Sequence, residues 1–257
     1  NGNTRALSEI ESRIRLTGQM QQNGAEAAIR LQAVQDMFES VRGTTSDLGM
    51  ALGTSPFADE ALLTTRTNEA VSAFANVIQK FNGTNANRHI LSGDAGDVRP
   101  ISEPGDILDS LQALTAGMTT ASDVAQAISD WFDAPAGGGG FLDVAYHGTL
   151  EAPQRITVGE GVTVGMETTA ASPAVRDLLK GLATAAIIDR GALAGNHSEK
   201  AALLVVAGRT MIGADAAILT EMGRVGLDQQ TVQRAQVTNG ASLNTLERAR
   251  GDIRSAD

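Results

Sequence analysis

The sequence predicts a mainly α-helical protein: both chain ends form a long antiparallel helical bundle, and a small α/β insertion with a β-hairpin lies between them. Two observations predict the bundle, because apolar residues recur at seven-residue intervals in the last quarter of the chain and again near its start. A third observation predicts the insertion. The middle of the chain is rich in glycine and holds two β-branched runs around a glycine turn.

The C-terminal quarter, from Ser198 to about Arg254, contains no proline and carries the clearest heptad pattern. Heptad spacing over about four repeats is typical of a helix that packs along its whole length on another helix. Ala207, Ala214 and Ala235 lie between the larger apolar residues and would let a partner helix approach closely. The predicted packing seam of this helix comprises Leu204, Met211, Ile218, Val225 and Val232.

A second long helix is predicted over residues 4–52, with a bend near residue 24. Its seam residues again follow heptad spacing: Leu31, Val34, Phe38, Val41 and Leu48. Ser55-Pro56 is expected to end this helix and to start a third, which ends at Asn82-Gly83. Because the third helix comes back, the C-terminal helix must return antiparallel to the first. Residues 1–86 and 172–257 are therefore predicted to form one discontinuous helical domain, the rod.

Residues 87–171 are predicted to form the insertion, a mixed α/β knob. Two short amphipathic helices are expected between Asp106 and Phe132, followed by a flexible glycine linker at Gly137 to Gly140. The apolar run from Phe141 to Tyr146 is a candidate strand. The β-branched runs at residues 155–158 and 162–164 predict a hairpin around Gly159 and Gly161.

Composition excludes several classes of function. A net charge of −10, with scattered arginines and three lysines, disfavours nucleic acid or an anionic membrane as a partner. The chain has no cysteine, which excludes disulfides, thiolate metal sites and cysteine nucleophiles. We also find no apolar run that approaches the ~18 residues of a membrane span.

No residue pattern in the chain indicates catalysis. His89, His147 and His197 have no carboxylate or second histidine at metal-ligand spacing, so each is interpreted as a structural histidine. Gly137 to Gly140 lacks the lysine and hydroxyl residue of a phosphate-binding loop. The sequence therefore predicts no catalytic residue, no cofactor and no metal, and the protein is not expected to be an enzyme.

Three segments of the chain together resemble the flagellin superfamily, and within it most closely the hook–filament junction family. One is the hairpin with the helix from Pro173 that follows it, and a second is the C-terminal stretch from Val225 to Asp257. The third is the loop after the third helix, which is similar to the pattern Asn-x-x-Tyr/His-Leu-Phe-Ser/Ala-Gly-Thr-x-x-Asp-x-x-Pro. This chain has Ile-Leu in place of Leu-Phe and Asp94 in place of the threonine. The residues of the loop that match are Asn87, Leu91, Ser92, Gly93, Asp97 and Pro100.

The resemblance implies a structural subunit of the bacterial flagellum that joins the hook to the filament by lateral packing of helices between subunits. Its implied partners are other copies of itself in a ring, hook-associated proteins and flagellin. It also implies that the family's terminal helical segments are missing here, and that an export chaperone binds the missing C-terminal segment. The implied location is extracellular, in the flagellum, after export without a cleaved signal peptide.

Two alternatives fit part of the pattern. A flagellin filament subunit would share the rod and would differ mainly in its terminal helices. A helical-bundle signalling module of the chemoreceptor type would explain the heptads and the acidity, but it would leave the glycine-rich insertion and the hairpin unexplained.

Overall fold

The computed structural model of the chain describes residues 2–54, 57, 59–151, 153 and 155–255. Within this part of the chain, the helices in order are α1 (Gly2–Thr54), α2 (Glu60–Phe81), α3 (Pro104–Thr115), α4 (Ala121–Asp133), α5 (Phe141–Val144), α6 (Pro173–Ala186) and α7 (His197–Ser255). Four short strands form two antiparallel pairs: β1 (Thr84–Asn85) with β2 (Arg88–His89), and β3 (Arg155–Gly159) with β4 (Val162–Gly165). The predicted mainly α-helical fold with a small hairpin is confirmed.

The two long helices have the extent that the heptads predict, with 53 residues in α1 and 59 in α7. α1 is continuous through residue 24, where a bend was expected. The predicted start of the third helix at Ser55-Pro56 lies outside the described residues. In the structure α2 begins after Asp59, whose carboxylate accepts a hydrogen bond from the Ala61 amide at 2.9 Å.

Contacts divide the chain into two compact units. Unit 1 comprises Asn1–Gln35, Ala152–Glu167 and Gly223–Asp257, and unit 2 comprises Asp36–Glu151 and Thr168–Met222. The predicted rod and the predicted insertion each contribute residues to both units. The division into residues 1–86 with 172–257 and residues 87–171 therefore stays a prediction.

In unit 1, the first part of α1 and the last part of α7 run antiparallel. Arg254 donates to Glu11 at 2.8 Å near the two chain ends, and Gln229 donates to Gln32 at 3.1 Å further along. Since residue numbers rise along one helix as they fall along the other, these two contacts fix the direction of the pair.

The β3–β4 hairpin of unit 1 is held by amide side chains from both long helices. The strands pair Thr157 with Thr163 and Gly159 with Val162, so Val158 is the extra residue of a β-bulge. Asn239 of α7 donates to the Val158 carbonyl at 2.7 Å, and Asn23 of α1 donates to the Thr157 carbonyl at 2.9 Å. The predicted hairpin therefore has the expected strands and a bulge that the sequence did not indicate.

In unit 2, α2 packs against the second part of α1 and against α6. The Phe38 and Phe81 rings meet edge to face with centroids 6.4 Å apart. Lys80 of α2 donates to the Ser40 carbonyl of α1 at 2.9 Å. α6 lies against α2 and α4, and its apolar residues are almost all buried. The apolar faces of α1, α2, α4 and α6 therefore all contribute to the core of unit 2.

Glycines let α1, α6 and α7 come into backbone contact in unit 2. A Cβ added at Gly208 of α7 would lie 2.1 Å from the backbone nitrogen of Gly53 in α1. A Cβ at Gly181 of α6 would lie 3.0 Å from the Met211 nitrogen of α7 and 2.6 Å from the Met211 Cγ. Gly49 would bring its Cβ within 3.1 Å of the Met211 Cβ. One turn of α7 is therefore approached by two helices at distances that only glycine permits.

Two local predictions for the middle of the chain are wrong. The candidate strand from Phe141 to Tyr146 is instead the short helix α5 followed by a turn. The predicted flexible linker at Gly137 to Gly140 is a defined loop, because the Asp143 carboxylate accepts the Gly137 amide at 2.8 Å and the Gly139 amide at 2.7 Å. These amide bonds also lower the pKa of Asp143.

We predict that Gly208→Ala destabilises unit 2, because the new methyl group meets the Gly53 backbone, which cannot move aside as a side chain would. Overpacking typically costs about 1–3 kcal/mol, which exceeds the gain of about 1 kcal/mol from replacing a helical glycine. The matched control is Gly213→Ala in the same helix, where nothing lies within 4 Å of the new Cβ. Urea unfolding followed by fluorescence of Trp131, the single tryptophan, should show a lower midpoint for Gly208→Ala and an equal or higher one for Gly213→Ala. Equal midpoints for both variants would contradict the backbone contact.

Candidate assembly surface

All ten predicted seam residues are buried in the structure. In unit 2 these are Phe38, Val41, Leu48, Leu204, Met211 and Ile218, and in unit 1 they are Leu31, Val34, Val225 and Val232. The predicted small residues Ala207, Ala214 and Ala235 are buried as well. This burial means that the heptad faces are covered within the chain itself. Contacts with another subunit would have to use other side chains.

The loop after α2 opens with a tight turn. Ala86 and Asn87 join β1 to β2 and have φ angles of 49° and 62°. Two consecutive residues with positive φ between paired strands are typical of a type I′ turn, a conformation in which asparagine is tolerated better than most residues. Asn87 of the family-like loop thus has a role in the backbone, and its side chain is exposed.

The centre of this loop is buried and bonded to a later segment of unit 2. Leu91 and Ser92 are fully buried, and the Ser92 hydroxyl donates to the Val98 carbonyl at 2.5 Å. Gly93 has a φ of 66°, and a Cβ there would lie 2.4 Å from the Thr149 hydroxyl. The Thr149 amide in turn donates to the Ser92 carbonyl at 3.0 Å. The Ser-Gly pair is therefore required by close packing.

The last two family-like residues differ in environment. Pro100 is buried, and its carbonyl accepts the His147 amide at 2.9 Å, whereas Asp97 is exposed. Five of the six loop residues, all but Asp97, thus belong either to the tight turn or to the packed and hydrogen-bonded part of the loop. Whether the loop also contacts a partner stays a prediction.

Asn82 anchors the loop to the rest of unit 2, although the sequence pattern marks it only as the end of a helix. Its side-chain amide donates to the Ile101 carbonyl at 2.9 Å, and its oxygen accepts the Ile101 amide at 2.9 Å. Both residues are buried, so water cannot replace these bonds. A side chain that pairs with a peptide group in this way leaves no signal in local sequence, because its partner is nineteen residues away.

The long helices carry several large apolar side chains that are exposed. In unit 2, Met50 of α1 and Ile212 and Leu219 of α7 are 42–51% exposed. The Ile212 Cδ1 lies 3.1 Å from the position that a Cβ on Gly53 would occupy. The Ile212 side chain therefore lies against α1, where the two helices meet. In unit 1, the exposed side chains are Leu16, Ile29, Leu227 and Val237.

A partly buried ion pair fixes the register of α1 and α7 in unit 2. Arg42 donates to both carboxylate oxygens of Asp215, at 2.7 and 3.1 Å. The bond to Asp215 raises the pKa of Arg42. A bidentate pair of this kind adds geometric specificity, so it opposes sliding of one helix along the other.

The histidines are bonded to neighbouring groups. His89 contacts the Asn82 carbonyl at 2.8 Å, and His147 contacts the Ser102 hydroxyl at 2.8 Å. His197 lies 2.5 Å from the carboxylate of Glu60, a hydrogen-bond partner that sequence spacing does not reveal because it is 137 residues away. Among the described residues, no three His, Cys, Asp or Glu side chains lie together as metal ligands would.

By length and composition α7 passes the criterion for a membrane-crossing helix, which corrects the expectation that no run of the chain would. An 18-residue window in it has a mean hydropathy of 1.7, and 39% of that window is buried. A helix that buries an apolar side in a folded protein passes the same test. The buried seam residues Leu204 and Met211 give α7 such a side.

We predict that Asn82→Asp strongly destabilises unit 2. The substitution keeps the size of the side chain but places a carboxylate oxygen against the Ile101 carbonyl where a donor stood. Loss of a buried donor that leaves a carbonyl unpaired costs about 1–3 kcal/mol, and more for a charged group. Thermal unfolding should show a clearly lower midpoint, whereas the control Asn85→Asp, in the partly exposed strand β1, should unfold within about 0.5 kcal/mol of the unmodified chain. A small effect at both positions would contradict the anchoring role.

No known family profile matches the sequence, and a comparison with curated protein sequences finds no match either. Solved structures do match. One, described as a flagellar hook-associated protein from Vibrio parahaemolyticus, has a TM-score of 0.64 at 13% identity, over 96% of this chain and 95% of that one. Bacillus cereus FlgL has a TM-score of 0.58 at 13% identity, over 95% of this chain and 98% of that one. The chain therefore has the fold of these flagellar proteins, as the sequence resemblance implied.

Proposed function

We propose that the chain is a structural subunit of the bacterial flagellum that joins the hook to the filament. The observation that carries the proposal is the likeness of fold over at least 95% of this chain and of both flagellar structures. The loop, hairpin and C-terminal patterns that resemble the junction family point to the same role independently of that likeness. Its task is mechanical, and no catalytic step is assigned to it.

The partners that follow from this role are further copies of the chain in a ring, hook-associated proteins on one side and flagellin on the other. An export chaperone is a further proposed partner. The subunit would act outside the cell, after export without a cleaved signal peptide.

We assign the lateral contacts between copies to the exposed apolar side chains of the long helices, because the heptad seams are already buried within the chain. In unit 2 this surface comprises Met50, Ile212 and Leu219. We infer that these side chains on two neighbouring helices act together as one apolar strip, because exposed apolar patches commonly mark interfaces between proteins. The proposed mechanism is still lateral packing of helices between copies, but the residues that make the contact are exposed ones rather than those of the predicted seam.

Immunogold electron microscopy of intact flagella with antibodies against this chain tests the proposal. A junction subunit should be labelled in one narrow band where the hook meets the filament. Labelling along the whole filament would identify a flagellin subunit instead. Labelling at the cell body with none on the flagellum would favour a signalling module and overturn the proposal.

A double substitution tests the proposed lateral surface. Met50→Glu with Leu219→Glu places two like charges on the apolar strip, so neighbouring copies should repel and cells that carry the full-length variant should lose filaments. The purified chain should still unfold within about 1 kcal/mol of the unmodified protein, because both side chains are about half exposed.

The matched control is Leu114→Glu with Val144→Glu, which charges two apolar side chains of similar exposure elsewhere in unit 2. These cells should keep their filaments. Filaments in the Met50→Glu, Leu219→Glu cells would show that this strip carries no subunit contact, whatever the immunogold labelling finds.

A further inference from the structure

The first turn of α7 is bonded to three other parts of unit 2. His197 contacts the carbonyl of Phe57 and the carboxylate of Glu60, the first residue of α2. Two residues on, the Glu199 carboxylate accepts the Ala121 amide of α4 at 2.6 Å. Whatever holds or releases His197 therefore acts where the starts of α2, α4 and α7 meet.

Both ring nitrogens of His197 face oxygen atoms. Nδ1 lies 2.5 Å from Glu60 Oε2, and Nε2 lies 2.7 Å from the Phe57 carbonyl oxygen. A carbonyl can only accept hydrogen bonds, and an ionised carboxylate can only accept them as well. A neutral imidazole has one N–H, so it can satisfy one of these two oxygens, whereas the imidazolium satisfies both.

We propose that His197 is a proton-dependent clasp: its imidazolium fastens the start of α7 to Glu60 and to the Phe57 carbonyl, and loss of the proton releases one of these bonds. The clasp makes the junction of the three helix starts in unit 2 sensitive to the pH of the medium. Nothing in the proposed role as a flagellar subunit requires this device, so each stands or falls separately.

The charged groups around the ring favour the proton on balance. Glu60 faces it from α2, and Lys200 of α7 approaches the same carboxylate at 3.5 Å and opposes the positive ring. The carboxylate of Glu199 is bonded to α4, and that of Asp59 caps α2, so neither contacts the ring. The hydrogen bond to Glu60, and then that to the Phe57 carbonyl, raise the pKa of His197. The same contact lowers the pKa of Glu60.

These directions determine how the clasp depends on pH. Because the pKa of His197 is raised in the folded chain, its stabilising effect is complete below the ordinary pKa of about 6.5 and is lost as the pH rises through the folded value. The lowered pKa of Glu60 keeps the carboxylate charged well into acid, and its effect is lost only as the pH falls through that folded value. The clasp is therefore closed below the ordinary histidine pKa and opens as the pH rises through the raised pKa of His197.

Two measurements on the whole chain test the proposal. The first is the pKa of His197 from NMR titration of the imidazole, which should lie above the ordinary value and fall towards it in Glu60→Gln. The second is amide hydrogen exchange near residues 59–63 and 197–201, expressed as protection relative to the intrinsic rate at each pH. Protection should fall about tenfold for every pH unit by which the folded pKa exceeds the unfolded one.

His197→Gln should abolish the pH dependence of protection in these segments, since glutamine does not titrate. His147→Gln is the matched control, because the His147 ring bonds to the hydroxyl of Ser102 and not to a carboxylate, and this substitution should leave the dependence intact. A pKa of His197 at or below the ordinary value would overturn the proposal. So would a loss of protection with rising pH that is as large in His197→Gln as in the unmodified chain.

Discussion

The structure of unit 2 depends on the backbone contact between α1 and α7 at Gly53 and Gly208. Helices whose side chains interdigitate normally lie 8–10 Å apart, and glycines at the crossing allow a closer approach. The same turn of α7 receives α6 at Gly181, so two helices converge on one short segment. The Arg42–Asp215 pair then fixes the register of α1 along α7. The seam residues of unit 2 are buried in this register.

Irregular backbone in both units is held by polar side chains that reach across long sequence separations. Asn82 pairs with the peptide of Ile101, and Asn239 takes the carbonyl that the bulge at Val158 leaves free. Asp143 does the same for the glycine loop. A buried peptide group without a partner is costly, so Asn82 and Asn239 each stabilise an irregular segment, whereas Asp143 orders an exposed loop. The glycine-rich middle of the sequence is therefore ordered despite its composition.

The buried seam residues and the exposed apolar residues of the long helices have different roles. Residues at heptad positions are buried inside the chain. Apolar side chains on the outer faces, such as Met50 and Leu219, remain available to neighbours. Both properties suit the proposed role of a subunit that joins the hook to the filament. The His197 contacts add a point at the start of α7 where the strength of internal packing depends on a proton.

The sequence alone determined the long helices, the hairpin and the burial of all ten seam residues, because these follow from periodicities within one element. The short apolar run at Phe141 was ambiguous between strand and helix, and only the Gly140 turn and the packing of Phe141 against Phe132 decided it. Tertiary structure alone brought His197 to Glu60 across 137 residues and placed Gly53 against Gly208. A periodic pattern states which side of a helix is apolar, but it does not state which residues of another segment meet it there. That choice depends on close packing and hydrogen bonding in three dimensions, which no local pattern contains.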